Sequence, residues 1–410
     1  MKNYLNSVLY GYEETYIDLK ILILCATLDL KKPYSATPFL LQWFKAFHDE
    51  GHQLFIIPYS GKSVESPYWT SYPNPNYRKG EILEKILKIS GRQPGKKNLP
   101  FIPNLAQIFA KPAFEKQIRK ILDQEKDISA ILNLGLPLNQ LKGLAKDLKN
   151  DYGIPVIFFD DDLPTSLPEN GGFTFNHYED ADLSEYDLFI ITSEGSKQRL
   201  LEMGANSVEF VHIGIDPNEY KPIQTKKDID IFFFGHNGDS RKKYVDMMIT
   251  KPSNQLPFNF LIGGRNYTMD LGKAKYFSPK LSFDEWREYS CRAKINLNVV
   301  HELHAETFAT STARPFELAA MGCCVVSSPY KGIEKWFEPK KEILIANNPE
   351  EAIELYQLLM DDAELRNKIG IAAQKRVNKE HTARHRIKQI IQLIQKYGGS
   401  IDEKTNNPNS

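Results

Sequence analysis

Short apolar runs recur along this chain, separated by amphipathic stretches of helical length. The runs are continuous rather than alternating, which is typical of parallel strands covered on both faces. A first set of strands is predicted at residues 20–26, 53–58, 128–134, 155–160, 187–192 and 208–212. Helices are predicted between them at residues 38–51, 113–125, 138–152 and 193–204. This order of elements predicts a doubly wound α/β domain.

The same pattern restarts after a polar, proline-bearing linker at residues 214–226. A second set of strands is predicted at residues 229–235, 258–264, 293–300, 323–328 and 342–346, with helices at 350–360, 361–377 and 380–397. We therefore predict two Rossmann-like doubly wound domains, residues 1–217 and 218–385, followed by a terminal helix and a disordered tail at 386–410. Two such domains place the carboxyl ends of both sheets around one cleft, where ligands bind.

The amino-acid composition disfavours some classes of function for this chain. Lys plus Arg and Asp plus Glu both total 52, so the net charge is zero. Bulk attraction to nucleic acid or to an anionic membrane is therefore disfavoured, although a local patch stays possible. The polar N-terminus has no signal-peptide core, and apolar runs are too short to span a bilayer, so we expect a cytoplasmic protein. The four cysteines have no metal-ligand or disulfide spacing, and we expect buried thiols.

Residues 60–112 fit neither set of strands well. Tyrosine, tryptophan and proline are concentrated between residues 59 and 77, and aromatic faces suit flat sugar surfaces. Residues 60–112 are thus either an insertion that forms a lid or binds an acceptor, or a surface loop pinned by buried aromatics.

Glu317 is the carboxylate that most needs an explanation. It stands in ARPFELAAMG (313–322), ahead of a short apolar run, and we expect it to open a helix that leads into a strand. In that position it can project into a ligand crevice, or it can simply complement the helix dipole.

Two regions carry a resemblance to a known family. Residues 186–222 contain Ser193, Leu200, Gly204–Ala205, Gly214–Ile215–Asp216 and Tyr220 with Pro222. These resemble the end of the N-terminal domain in GT-B-fold glycosyltransferases of family 4. The second domain resembles the spore-maturation branch of that superfamily, through FFFGHNGDSRKKY, KINLNVV, ARPFELAAMG and a late His-Thr pair.

The resemblance implies that Glu317 binds the ribose hydroxyls of a nucleotide sugar. Family 4 enzymes carry a second glutamate eight residues earlier, where this chain has Ala309. Glu306 is a candidate substitute for it. Arg314 stands where the spore-maturation branch also has an arginine, and it can stabilise a leaving diphosphate, pair with Glu317, or be a surface charge.

Further donor-site candidates follow the strands of the second domain. Gly235 and Gly238 flank a predicted turn, and Arg241, Lys242 and Lys243 follow it. Such an arrangement gathers backbone N–H groups and basic side chains that can bind a phosphate. Gly263–Gly264–Arg265 repeats it where family members place the nucleobase. The other candidates for contact with the nucleotide sugar are Asn298, His301, His304 and Ser311. His301 and His304 also have metal-ligand spacing but lack an evident third ligand, and plain loop residues are the other alternative.

Three aspartates, Asp160–Asp162, end the predicted strand at 155–160. Asp160 or Asp161 can orient or deprotonate an acceptor hydroxyl, or it can cap a turn. A metal-binding DxD site is disfavoured, because the glycosyltransferase fold that uses it lacks a repeated second domain.

These observations lead to a glycosyltransferase that moves a sugar from a nucleoside diphosphate sugar, with UDP-sugars favoured, to an acceptor. The acceptor is a glycan, a lipid-linked sugar, a protein or a small molecule; nucleic acid is disfavoured. We expect no divalent metal or other cofactor, and the family implies retention of anomeric configuration. A catalytically silent scaffold and a nucleotide-sugar epimerase of the same fold are the alternatives.

Overall fold

The computed structural model describes residues 18–28, 39–82, 102–172, 176–236, 239–265, 267–278 and 280–398. Most of the candidate site residues lie within these ranges. Gly238, residues 83–101 of the proposed insertion and the tail from residue 399 lie outside them.

The first sheet is parallel throughout, with strand order β3-β2-β1-β4-β5-β6-β7. Its strands are β1 Lys20–Thr27, β2 Gln53–Ser60, β3 Thr70–Ser71, β4 Ile128–Leu134, β5 Val156–Asp160, β6 Leu188–Ile191 and β7 Val208–Phe210. Its helices are α1 Phe39–Asp49, α2 Ile102–Phe109, α3 Lys111–Gln124, α4 Leu144–Tyr152 and α5 Lys197–Glu202.

The second sheet repeats this architecture, with strand order β10-β9-β8-β11-β12-β13, again parallel. Its strands are β8 Ile229–Phe234, β9 Phe260–Gly263, β10 Lys275–Ser278, β11 Ala293–Asn298, β12 Val325–Ser327 and β13 Leu344–Ile345. Its helices are α6 Lys242–Val245, α7 Lys251–Gln255, α8 Phe283–Arg292, α9 Glu302–Glu306, α10 Ala313–Ala320, α11 Pro349–Asp361, α12 Ala363–Glu380 and α13 Ala383–Tyr397. A π-helical turn, Asp246–Thr250, joins α6 to α7.

The predicted fold class, two doubly wound parallel sheets, is confirmed. Each predicted strand is present with ends shifted by a few residues, because continuous apolar runs are needed wherever helices cover both faces of a sheet. The edge strands β3 and β10 were not predicted. Only two residues form β3, and β10 has an exposed first half, so neither produces an apolar run.

The last helix, α13, returns from the second domain to the first. Ile215 of the linker pairs with Thr382, and α13 buries Ile387 and Ile390 in the same core cluster as Trp43 of α1. The chain thus crosses between the domains twice, which holds the carboxyl edges of the two sheets toward one another. All four cysteines are buried and unpaired. Among the described residues, no helix combines the length and the apolar character needed to cross a membrane.

Candidate functional site

Glu317 lies in the second turn of α10 and is only 3% exposed. The expectation that it opens the helix is wrong: α10 begins at Ala313, because Pro315 is tolerated in a first turn, where its missing N–H costs no hydrogen bond. The first turn contains no acidic residue, so complementing the helix dipole does not account for Glu317.

Two side chains from different elements hold the Glu317 carboxylate. The Tyr220 hydroxyl donates to Oε1 at 2.8 Å, and Arg314 Nη1 lies 3.2 Å from Oε2. Tyr220 belongs to the linker between the domains and is itself fully buried. Sequence reasoning quoted Tyr220 as part of a motif but gave it no role, since its hydroxyl partner lies 97 residues away.

Arg314 is held mainly by an aromatic ring. Its guanidinium lies 4.4 Å from the ring centroid of Trp286 in α8, a cation–π contact. Nη1 is buried and makes no hydrogen bond, so its N–H groups are not aimed at the nearby Glu317 oxygen. Arg314 therefore keeps unused donors at this site.

Arg241, at the start of the helix after β8, is the second cation of the cluster. Its Nη1 donates to the backbone oxygen of His236, while its buried Nε has no hydrogen-bond partner. Burial lowers the pKa of the Arg241 guanidinium, the Tyr267 phenol opposes that change, and the positive charge of Arg314 lowers the pKa further. Arg241 and Arg314 thus lie within electrostatic range of each other, and each has one nitrogen without a hydrogen-bond partner.

Three histidines border these arginines and stay neutral at pH 7. Burial lowers the pKa of His301 to about 4, and the charge of Arg241 adds to the effect. The pKa of His304 falls to about 3 through burial, His301 and Arg241, in that order. Burial also lowers the pKa of His236, with further contributions from nearby arginines. The positive charge at this end of the second sheet is therefore carried by arginine side chains.

His301 and His304 stand 5.1 Å apart, measured between ring centroids. His301 Nδ1 accepts from the Leu303 backbone N–H and so caps α9. No group of three or more His, Cys, Asp or Glu side chains suited to a metal ion occurs in the described ranges. His304 also hydrogen-bonds the backbone of Asp162, while its Nε2 is buried without a partner. This contact places the first sheet's aspartates against the second domain.

The three aspartates have different environments. Asp160 is 5% exposed; Oδ1 accepts from the Asp162 N–H, and Oδ2 accepts from the hydroxyls of Ser166 and Tyr178. Such contacts belong to a turn cap, the alternative to its predicted catalytic role. Burial raises the pKa of Asp162 to about 7, assisted by the charge of Asp160, and burial also raises the pKa of Asp161. Asp162 was not singled out from the sequence.

The glycines bring the ends of β8 and β9 together. Gly235 N–H donates to the Gly263 oxygen at 3.1 Å, and a Cβ on Gly264 would lie 1.8 Å from the Gly235 oxygen. Tyr267 donates its hydroxyl toward both of those carbonyls, and Arg265 lies close enough to lower the pKa of His236. The predicted glycine positions are therefore adjacent, and only glycine fits at 264, where φ is +117°.

Other predicted residues lie outside this cluster. Asn298 is buried and donates to Ser327 within the sheet, while Ser311 donates to the Thr192 oxygen and accepts from Ile213 N–H. Asn298 and Ser311 thus have hydrogen-bond partners within the protein, and their contact with a ligand stays a prediction. Lys242 is exposed on α6, and Glu306 is exposed with Lys243 3.9 Å away.

Ala309, which stands where family 4 has a glutamate, is fully buried at the domain interface with φ of 47°. Its carbonyl accepts from Glu194 N–H, and Gly332 packs so closely that a Cβ there would lie 2.6 Å from the Ala309 nitrogen. Next to Ala309, the hydroxyls of Ser193 and Thr310 are hydrogen-bonded to each other at 2.7 Å. Ala309 is therefore closely packed against Gly332 of its own domain and hydrogen-bonded through its backbone to the first domain.

Comparison with known proteins agrees with this geometry. Residues 242–392 match the sequence profile of a family described as glycosyl transferase-like. No curated protein matches the chain significantly in sequence. Among solved structures, sucrose-phosphate synthase from Thermosynechococcus elongatus superposes with a TM-score of 0.61 and 14% identity, over 92% of this chain and 98% of the other.

Anabaena HepE in complex with UDP gives a TM-score of 0.59 with 14% identity, over 92% of this chain and 100% of that chain. The trehalose-6-phosphate synthase OtsA superposes with a TM-score of 0.59 and 14% identity, over 92% of this chain and 99% of that chain. At such identities the likeness establishes the fold. The chain therefore has the two-domain GT-B fold of these structures, and its residues 242–392 are similar to a glycosyl transferase-like family.

Proposed function

We propose that the protein transfers a sugar from a UDP-sugar to an acceptor hydroxyl in the cleft between its domains. The observation that carries this proposal is the pair Arg241 and Arg314. Both guanidiniums have a buried nitrogen without a hydrogen-bond partner, and each lies within electrostatic range of the other. A buried guanidinium nitrogen without a hydrogen-bond acceptor is costly, so the arrangement is suited to a dianionic ligand that accepts from both arginines.

A diphosphate placed between the arginines is also the leaving group of the reaction. The acceptor oxygen forms a bond to the anomeric carbon while the bond from that carbon to the diphosphate oxygen breaks, and the electron pair leaves with the diphosphate. Arg241 and Arg314 stabilise the negative charge that develops there. Because the neighbouring histidines are neutral, this stabilisation depends on the two arginines.

Glu317 and the glycine edge suit the nucleoside half of the donor. A carboxylate has about four acceptor positions, and the Tyr220 hydroxyl uses one of them, so Glu317 can still accept from two ribose hydroxyls. The end of β9 at Gly263–Gly264, covered by Tyr267 and Tyr276, is the proposed location of the base.

On the opposite side of the cleft, Asp162 is the proposed proton acceptor for the acceptor hydroxyl. Its pKa of about 7 matches the requirement for a general base near neutral pH. His304, which contacts the backbone of Asp162, offers its unpaired Nε2 to a sugar hydroxyl. Asp161 remains a second candidate, whereas Asp160 is committed to the turn.

Uridine is proposed as the base because structures with the same fold include HepE in complexes with UDP, with UDP-glucose, and with UDP and glucose. We propose further that no divalent metal is required, since two guanidiniums supply the positive charge. Retention of configuration, which the family resemblance implies, completes the proposal.

Titration calorimetry with UDP, in buffer containing EDTA, tests the donor site. Arg241→Met and Arg314→Met should each weaken UDP binding about 10- to 100-fold, the value of one or two charge-assisted hydrogen bonds. Arg199→Met is the matched control, because Arg199 is an exposed arginine paired with Glu169 in the other domain. The melting temperature without ligand should not fall in Arg241→Met, which removes a repulsion between like charges. Arg314→Met should lower it, because this variant also leaves the buried Glu317 carboxylate without its ion-pair partner.

Unchanged UDP affinity in both site variants would refute this assignment, and binding that depends on added magnesium would refute the metal-free proposal. A silent scaffold, which Ala309 favours as an alternative, would bind UDP-glucose without releasing UDP. Release of UDP together with a new glycosidic bond, followed by NMR of the anomeric proton, separates transfer from epimerisation and reports the configuration.

A further inference from the structure

The zero net charge of the chain conceals one strongly basic stretch. Residues 78–120 contain eleven Lys or Arg against three Glu and no Asp, a net charge of +8, so the remainder of the chain carries −8. Such a concentration attracts anionic surfaces locally even when the whole protein is neutral. It borders the first domain's helix α2.

Helix α2 has an apolar face that nothing in the described structure covers. Leu105 is 43% exposed, and Ile108 and Phe109 are each 63% exposed. Leu105 and Phe109 are four residues apart and share one face of the helix. None of the eight residues of α2 is buried, so its apolar side chains contribute little to the core of the protein.

The polar side of α2 fixes its orientation. Gln107, on the opposite face from Leu105 and Phe109, donates from Nε2 to the Asn139 oxygen at 2.7 Å. At the end of the helix, the Ala110 oxygen accepts from Asn76 Nδ2 at 2.8 Å. These hydrogen bonds hold α2 against the loop that follows β4, and the apolar side chains of α2 remain exposed on its other face.

Basic side chains stand beside this apolar face. The Asn76–Ala110 hydrogen bond brings the start of the helical residues 77–82, which include Arg78 and Lys79, to the end of α2, and both basic side chains are exposed. Ile82 of the same helical segment is 58% exposed. We call Leu105, Ile108 and Phe109, with the flanking Arg78 and Lys79, the basic–apolar face.

We propose that the basic–apolar face docks on an anionic phospholipid surface. Leucine, isoleucine and phenylalanine side chains of an amphipathic helix insert at the boundary between headgroups and acyl chains, while neighbouring Lys and Arg bind the headgroups. A second copy of this chain is a poorer match, because two identical basic surfaces repel each other. The exposed Arg78 and Lys79 beside the apolar side chains therefore favour an anionic bilayer as the partner.

The position of the face relates it to the cleft. Gln107 donates to the loop after β4. Asn139 of that loop in turn donates to the backbone oxygens of Asn176 and His177, next to the turn that contains Asp160. A bilayer at the basic–apolar face would thus lie beside the acceptor side of the cleft. The docking itself requires no glycosyltransferase activity, so its test is independent of the proposed function.

Co-sedimentation of the full chain with vesicles tests the proposal. Binding to phosphatidylcholine vesicles containing phosphatidylglycerol should exceed binding to pure phosphatidylcholine by about tenfold or more, and it should weaken as salt is raised. Leu105→Ser, Ile108→Ser and Phe109→Ser combined should reduce binding about tenfold or more. Leu358→Ser with Ile371→Ser is the matched control, because these exposed apolar residues lie on the second domain. Arg78→Glu with Lys79→Glu should abolish the preference for the anionic lipid.

Three outcomes would overturn the proposal. Equal binding to both vesicle types, or none, would exclude an anionic surface. A dimer in analytical ultracentrifugation that the triple serine variant dissociates would show that a second copy covers the face. A fall of several degrees in the melting temperature of the triple variant, with no fall in the control, would show that a part of this chain covers it.

Discussion

Asp160 in the first domain and Glu317 in the second are nearly equally buried, at 5% and 3% exposure, yet their surroundings differ. Asp160 accepts hydrogen bonds from three groups of its own loop, all within 18 residues along the chain. Glu317 is held by a tyrosine of the linker and by an arginine that keeps unused donors.

The difference shows that burial of a carboxylate does not by itself indicate a ligand site. A carboxylate whose acceptors are all used stabilises the loop that supplies the donors. One that lies beside arginine nitrogens without a hydrogen-bond partner is part of an incomplete network, and such a buried group has to be compensated by water, an ion or a ligand. The second case is that of the proposed donor site; the first is that of a structural turn.

The largest expected effect comes from exchanging each carboxylate for its amide. Glu317→Gln should weaken UDP-glucose binding about 10- to 100-fold, because the amide offers fewer acceptors to ribose and does not balance Arg314. Asp160→Asn should instead lower the free energy of unfolding by about 2–3 kcal/mol, since an amide N–H group would face hydrogen-bond donors. Calorimetry with UDP-glucose and urea denaturation measure the two effects. If Asp160→Asn weakens binding by the folded protein as strongly as Glu317→Gln, the distinction between the two carboxylates is wrong.

A smaller expected effect concerns Asp162 of the first domain, through which the free energy of unfolding should depend on pH. Asp162 has a folded-state pKa raised from 3.8 to about 7, so the folded protein keeps a proton that the unfolded chain releases between these values. Stability should therefore fall as pH rises through this window, by at most about 1.4 kcal/mol per pH unit. The buried histidines have lowered pKa values and contribute the opposite slope, so the informative quantity is a difference between variants.

Asp162→Asn should remove the part of the slope that belongs to this carboxyl, as measured by urea denaturation at several pH values. Asp361→Asn, at an exposed position in α11, serves as the control. The same slope in the parent protein and in Asp162→Asn would contradict a raised pKa at this residue.

The smallest expected effect concerns Tyr220, which positions Glu317. Tyr220→Phe removes one hydroxyl and keeps the ring packed against Phe283 and Trp286. The KM for UDP-glucose should rise about 3- to 10-fold with kcat nearly unchanged, because one hydrogen bond to the ribose-binding carboxylate is lost. Tyr356→Phe is the control; its buried hydroxyl donates to the Met248 oxygen away from the cluster. An equal change in KM in both variants would assign Tyr220 a purely structural role.

Local pattern predicted much of the fold. Continuous apolar runs predicted the parallel strands, because a strand covered on both faces needs apolar side chains at every position. The glycines at the ends of β8 and β9 were identified before their contact was known, since sharp turns after strands favour glycine. Glu317 was found through a motif, but its place in the second helical turn was not, because the helix start depends on Pro315 and on the preceding loop.

The sequence by itself thus determined the two doubly wound parallel sheets, and it named the residues that are candidates for a donor site. The tertiary structure decided which of them meet. Arg241 and Arg314 are 73 residues apart and come together because β8 and β11 are neighbours in the sheet, and Ala309 is buried because the first domain packs on it. Periodicity reports only which face of an element is apolar, whereas contacts between distant residues follow from strand order and domain packing, which no local pattern encodes.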